Sequence, residues 1–272
     1  MEPFKLQQRE FVMIDDWNQT YGIIAGMTTK QGGFSQGAFS SLNMGLHVKD
    51  SEGDVLKNRR ELGEIIHFPI EQWVGAEQTH QTHIENISEH QSGRGSMSYE
   101  DSFKGTDGFF TSSKGILLTM CYADCIPIYF LHPSSNAIGI VHAGWKGTVN
   151  GIAEEMVKRF KAEGIKASEI KVAIGPGICQ DCYIVNDFVI DQAKRFIGGE
   201  YSKPYQQISE GQYSLDLKLL NKQILIRAGI IESSLQVTNY CTSCHHDLFF
   251  SHRRDKGHTG RMMSFIGWKE ER

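Results

Sequence analysis

Three apolar segments follow one another closely in this 272-residue chain, and they constrain its fold more than any other feature. Residues 115–120 and 126–131 contain β-branched and aromatic side chains and bracket the polar segment 121–125, so the spacing predicts strand, tight turn, strand. Residues 137–141 form a third buried strand, which ends at His142. Thr148 is placed to cap the helix that follows, whose apolar stripe is Val149, Ile152, Met156, Val157 and Phe160. Another strand at 170–174 stops at Gly175-Pro176-Gly177. Helices are expected over 187–196 and 215–228, and a late strand over 235–240. Upstream, Val55, Leu56, Leu62, Ile65 and Ile66 stand at helical spacing within 54–66, while 71–74 and 84–87 read as short strands. The Gly/Ser-rich stretches 31–41 and 92–98 read as loops. No repeat or low-complexity linker divides the chain, which predicts one mixed domain over residues 1–272.

Composition narrows the class of function. The formal charge of −4 leaves no global basic field, so a nucleic-acid groove is not implied. No apolar run approaches the roughly 20 residues of a membrane span. The first 17 residues mix Glu2, Lys5, Arg9, Glu10, Asp15 and Asp16 with apolar ones and show no signal-peptide core. The expectation is a cytoplasmic enzyme acting on a small molecule, with neither nucleic acid nor membrane as partner. Six cysteines form three close pairs, Cys121/Cys125, Cys179/Cys182 and Cys241/Cys244. Without a secretion signal, metal binding, catalysis or core packing is favoured over disulfides.

His80, Cys125 and His142 each stand where a strand ends, a place where the sheet fixes the backbone and the side chain faces a cleft. Thiolate and imidazole both suit zinc, and three protein ligands leave the open position of a catalytic site. Against this stands the ordinary fate of isolated histidines, which is to be satisfied surface or core groups. Cys121 rivals Cys125 but reads better as a small buried apolar residue. A second metal reading rests on Cys179-Gln180-Asp181-Cys182 and Cys241-Thr242-Ser243-Cys244, the two halves of a four-thiolate structural site. Their long separation speaks against it, as does a chain large enough to need no zinc staple.

Basic residues supply candidates for an anion. Arg253, Arg254 and Arg261 fall in one segment, and guanidinium forks match phosphate oxygens. The bland alternative is a solvated charged turn. Lys146 lies at an expected helix N-terminus, where anions bind readily. The segment from Gly139 to Lys146 misses a phosphate-binding loop because Trp145 occupies the lysine position.

Several motifs occur in one order: Gln78-Thr79-His80, Gly105-Thr106-Asp107-Gly108, Ala123-Asp124-Cys125-Ile126-Pro127, His142-Ala143-Gly144-Trp145-Lys146-Gly147, Ile174-Gly175-Pro176-Gly177-Ile178, Cys241-Thr242, and 250–254 with Thr259-Gly260-Arg261. In this the chain resembles the YfiH-type family, long labelled laccase-like or multicopper polyphenol oxidase, from about Gly22 onwards. The resemblance implies an α+β fold, a mixed sandwich without a Rossmann sheet. It implies a zinc site at His80, Cys125 and His142. The implied activity is phosphorolysis of adenosine, inosine and methylthioadenosine, together with adenosine deamination. Lys146 replaces the arginine common after Gly-Trp, and Ile184 stands where glutamate is frequent.

On that basis Asp124 or Glu77 is a candidate proton shuttle for deamination, and Arg59, Lys146, Arg253, Arg254 and Arg261 are candidates to hold substrate or phosphate. Two rivals remain. A copper polyphenol oxidase commonly uses His-x-His pairs, which are absent from the eleven histidines here. A cysteine hydrolase would use Cys125 as nucleophile with His80 or His142 as base, and would survive chelation.

Overall fold

The computed structural model describes residues 1–196 and 202–270. Its first sheet runs, in spatial order, β1 (Phe4–Gln8), β2 (Phe11–Ile14), β3 (Ile24–Thr28), β15 (Met262–Gly267), β7 (Leu117–Tyr122) and β4 (Trp73–Val74). The second runs β14 (Leu235–Val237), β10 (Lys171–Ile174), β8 (Ile126–His132), β9 (Ala137–Ala143), β6 (Gly108–Thr111) and β5 (Ile84–Asn86). A small third sheet joins β11 (Ile184–Asn186), β13 (Gln212–Leu215) and β12 (Tyr205–Ser209). Among the strands of the described residues, parallel pairing is found for β4 on β7, β14 on β10 and β5 on β6, with one isolated parallel bridge between Ala76 and Phe103. The centres of both large sheets are antiparallel, so the expected α+β class holds and neither large sheet is of the Rossmann type.

The central strands are apolar throughout because both of their faces are covered. On β8, Tyr129 and Leu131 point between the two large sheets, where they meet Leu118, Met120 and Tyr122 of β7. The alternate residues Ile126, Ile128 and Phe130 point the other way, into a core shared with the helices. This is the period-two alternation of a strand buried on two sides. That outer core is closed by α4 (Ile152–Ala162), which buries Ile152, Met156, Val157 and Phe160, and by α6 (Leu217–Arg227). Burying a side chain the size of Phe160 stabilises the fold by roughly 1.5–3 kcal/mol. The outer face of the first sheet packs Leu117, Met263 and Phe265 against Leu62 and Ile66 of α2 (Glu52–Ile66). Two further short helices are α1 (Asp15–Tyr21) and α5 (Asp187–Ala193). Among the described residues no helix is long and apolar enough to cross a membrane.

The structure departs from the sequence reading at three informative places. β7 and β8 do not pair. The turn between them carries the chain from one sheet to the other. β9 extends to Ala143, so His142 lies within the strand and not after it. Thr148 caps nothing: a separate helix α3 (Trp145–Val149) precedes α4, and the chain breaks between them at Gly151, whose φ of +85° suits glycine. Thr148 is instead buried and accepts a hydrogen bond from Asn221.

Candidate metal centre and substrate cavity

The crossover from β7 to β8 positions Cys125. Asp124, just before it, has a φ of +84°, a region that L side chains seldom adopt. Both of its carboxylate oxygens hold that conformation in place. Oδ1 accepts from the Thr242 hydroxyl at 2.6 Å and Oδ2 from the Arg253 backbone N–H at 2.6 Å. Two loops distant in sequence are thereby tied to the turn.

Asp107, just before β6, organises the two histidines. Its Oδ1 accepts from the backbone N–H of His80 at 3.0 Å and faces His142 Nδ1 at 2.8 Å. Its Oδ2 accepts the backbone N–H groups of Thr79 and Gln81 at 3.0 and 2.8 Å and the Thr79 hydroxyl at 3.2 Å. Residues 79–81 thus wrap around one buried carboxylate, and His80 is held at a φ of +62°. Strained backbone of this kind collects at functional sites because surrounding bonds must maintain it. With Nδ1 of His142 engaged by Asp107, Nε2 is the ring nitrogen turned to Cys125 and available to a metal, the arrangement by which carboxylates orient metal-binding imidazoles.

These constraints bring one ligand atom each from His80, Cys125 and His142 within 4.8 Å of one another. Cys125 Sγ lies 3.8 Å from His80 Nε2. Ligand bond lengths to tetrahedral zinc place sulfur and nitrogen about 3.6 Å apart. The donor set and its spacing therefore fit a metal ion. Gly144 makes the approach possible: a Cβ there would stand 2.9 Å from His80 Cδ2 and 3.0 Å from Cys125 Sγ. His142 is buried while His80 is exposed, so the cluster opens on one side.

The electrostatics agree. Burial alone would raise the Cys125 thiol, but the charge and hydrogen bond of His142 and the bond from His80 bring it down to about 6. Burial alone would lower His142, but Cys125 and Asp107 lift it to about 9. The two shifts are the two sides of one thiolate–imidazolium attraction.

The cluster lies in a cavity of about 360 Å³ whose lining includes His47, Gln78, Tyr99, Tyr183, His252, Arg253 and Arg261. Gln78 is clamped to β7 by reciprocal bonds with the Cys121 backbone. Arg253 lies 4.9 Å over the Tyr183 ring and donates to the Ile184 carbonyl. Arg261 donates to the carbonyls of Thr259 and Gly260 through one nitrogen. His47 is lowered to about 4, first by burial and then by the charge of Arg261, so it is neutral near pH 7.

Other candidates fall elsewhere. Arg59 is 4% exposed, lines no part of this cavity and spends its guanidinium on the carbonyls of Met44, Gly95 and Ser96. The expectation that it holds phosphate is corrected: it is a core residue that satisfies backbone acceptors. Arg254 is also turned away, bonded to Asp255 and to the carbonyls of Thr242, Ser243 and Phe249. Glu77 pairs with Lys104 at 3.1 Å outside the cavity. Lys146 lines an adjoining recess with Thr79, His80 and Trp145. Cys121, unlike these, does line the cavity, from its place in β7 beside the core under α2, with its thiol raised by burial.

Sequence reasoning passed over His47, Gln78, Tyr99, Asp107, Tyr183 and His252. Gln78 and Asp107 lay within recognised motifs without being given roles. The four cysteines whose separation spoke against a shared site do converge: Cys179, Cys182, Cys241 and Cys244 lie with their sulfurs within 4.8 Å of one another.

Comparison with known proteins places this geometry in a family. Residues 24–269 match a family model described as multi-copper polyphenol oxidoreductase laccase. The chain is 48% identical over 251 residues to purine nucleoside phosphorylase YlmD of Geobacillus stearothermophilus, covering 92% of each. It is 44% identical over 273 residues to the YlmD of Bacillus subtilis, covering 98% of each. The crystal structure of Geobacillus stearothermophilus YlmD superposes with a TM-score of 0.97 at 45% identity, over 99% of this chain and 100% of that one. The chain belongs to the YfiH/YlmD family of purine nucleoside phosphorylases.

Proposed function

We propose that this chain is a zinc-dependent phosphorylase that cleaves adenosine, inosine and methylthioadenosine with orthophosphate. The products are the free base and ribose 1-phosphate or methylthioribose 1-phosphate. The observation that carries the reading is the convergence of His80, Cys125 and His142 on one cavity that also presents Arg253 and Arg261. The names of the relatives agree with it. One thiolate and two imidazoles suit zinc, and the same three donors also occur in blue copper, so the choice of zinc rests on the fourth position. A blue-copper site adds an axial methionine, and among the described residues none lines this cavity.

In the proposed reaction a phosphate oxygen bonds to C1′ of the ribose as the bond from C1′ to the purine nitrogen breaks. The bonding electrons leave with the base, which takes up a proton. Arg253 and Arg261 supply fixed positive charge and forked donors for the phosphate. Tyr99 and Tyr183 offer ring faces for the purine. Neutral His47 can exchange hydrogen bonds with a hydroxyl without competing for the anion. Zinc held by the three ligands would supply Lewis-acid polarisation of a substrate atom.

Adenosine turnover with and without phosphate tests the reading. Adenine and ribose 1-phosphate should form only with phosphate, and Arg261→Ala should raise the KM for phosphate at least about tenfold, roughly 1.4 kcal/mol, with metal content unchanged. No base released in phosphate buffer would end the phosphorylase proposal. Deamination of adenosine to inosine, with water consumed and ammonia released, is proposed at the same centre. It has narrower support, since the one carboxylate lining the cavity among the described residues, Asp124, has both oxygens engaged.

Metal binding should depend on pH in a defined sense. Between about pH 7 and 9 Cys125 is already a thiolate and His142 still carries a proton, so loading zinc must expel that one proton. Apparent affinity is expected to rise about tenfold per pH unit across this window, measured by competition with a chelator. A flat profile would show that no ligand gives up a proton to the metal in this window.

A further inference from the structure

We propose that Cys179, Cys182, Cys241 and Cys244 hold a second zinc ion, structural and independent of the reaction above. The four sulfurs lie within 4.8 Å of one another. Cys244 Sγ is 3.8 Å from Cys179 Sγ and 3.4 Å from Cys182 Sγ. Zinc–sulfur bonds of about 2.3 Å in a tetrahedron put neighbouring sulfurs roughly 3.8 Å apart, so the separations match a shared ion. A disulfide would need about 2.05 Å between two of them and would leave the other two thiols beside it without a role.

The topology explains why two distant pairs meet. β10 and β14 are parallel neighbours, so the chain leaves both at the same end of the sheet. Cys179 and Cys182 lie on the loop after β10, and Cys241 and Cys244 on the loop after β14. The loops already touch through a hydrogen bond from Thr242 N–H to the Gly177 carbonyl at 3.3 Å. Cys241 Sγ accepts the backbone N–H groups of Cys179 at 3.2 Å and Cys244 at 3.4 Å. Such donors stabilise a thiolate and suit a metal ligand better than a neutral thiol. The buried Lys218 ammonium is held by the Thr238 and Tyr240 carbonyls at the start of the second loop. It supplies positive charge to offset the net negative charge of zinc with four thiolates.

All four positions are supplied by protein, which is the pattern of a structural site, in contrast to the open three-ligand set at Cys125. Its effect reaches the cavity. The first loop leads into Tyr183 and the second into Thr242 and Arg253, residues that line the cavity or hold Asp124. An ion at the cysteines would cross-link the two loops that form this wall.

The test uses a His80→Ala/His142→Ala variant, which removes the other centre, alongside Cys182→Ser/Cys244→Ser and the unaltered protein, all produced with zinc. The histidine variant should retain one zinc per chain by elemental analysis, with only sulfur neighbours in zinc-edge X-ray absorption. The cysteine variant should hold one zinc fewer than the unaltered protein and melt at a lower temperature. If the cysteine variant does not fold, the histidine variant alone decides. A histidine variant without zinc, zinc with nitrogen neighbours in it, or titration showing these cysteines paired as disulfides would each overturn the proposal.

Discussion

Cys125→Ala is expected to lower kcat/KM for adenosine phosphorolysis at least about a thousandfold, equivalent to roughly 4 kcal/mol of transition-state stabilisation. Three effects combine. The site loses one of its three ligands, and with it the only negative charge among them. His142 loses the negative charge that contributes most to holding it near 9, so its proton is shed more easily but its ring is less firmly placed. The fold should survive, because Cys125 lies at the cavity and Ala occupies less space than Cys. Steady-state kinetics with metal analysis on the same sample read the result. Loss of both activity and one metal equivalent is the expected pair. A cysteine hydrolase would also die on this substitution, so chelation is the separating measurement: the unaltered enzyme should lose activity on metal removal and recover it with added zinc. Activity that survives both treatments would refute the metal centre.

Asp107 should reveal how much of the site is held from behind. Asp107→Ala removes a buried carboxylate that accepts from three backbone N–H groups, one hydroxyl and His142. Leaving those donors unpaired costs about 3–5 kcal/mol, which in a chain of this size lowers Tm by roughly 10 °C. Asp107→Asn keeps the shape and one carbonyl oxygen but removes the charge. It should preserve the fold and weaken zinc binding about 10- to 100-fold, with activity recovered at high zinc. Burial alone would raise the Asp107 carboxyl, yet His142 and the backbone donors hold it below its ordinary value, so it is ionised throughout the working range. Thermal melting of both variants and a zinc titration of the second are sufficient. Equal zinc affinity in Asp107→Asn and the unaltered protein would show that the carboxylate serves folding alone.

Much of the secondary structure was legible where periodicity is strong. The stripe from Ile152 to Phe160, the helix ending at Ile66 and the strands at the centre all appear within a few residues of their expected bounds. β1 and β15 of the first sheet were not read. β1 buries one residue of five, and β15 is closed in by β3 and β7 from distant parts of the chain. Neither fact is written in local pattern. The failed cap at Thr148 has a similar cause. A threonine before an apolar stripe is a fair cap locally, but burial against Asn221 overrode that preference.

The residue types of the candidate site were open to reading, because thiolate, imidazole and guanidinium chemistry belongs to side chains and is carried wherever they go. His80, Cys125, His142, Arg253 and Arg261 could be named from that chemistry and from motif order. Which of them meet was decided by tertiary structure. Arg59 and Arg261 are the same side chain in sequence, yet one is buried among carbonyls and the other lines the cavity. The cysteine pairs show the converse: separation along the chain spoke against a shared site, and two parallel strands brought the pairs together. Covalent chemistry is local to a residue, whereas proximity depends on which strands pair and which faces they bury, and that is settled only when the whole core closes.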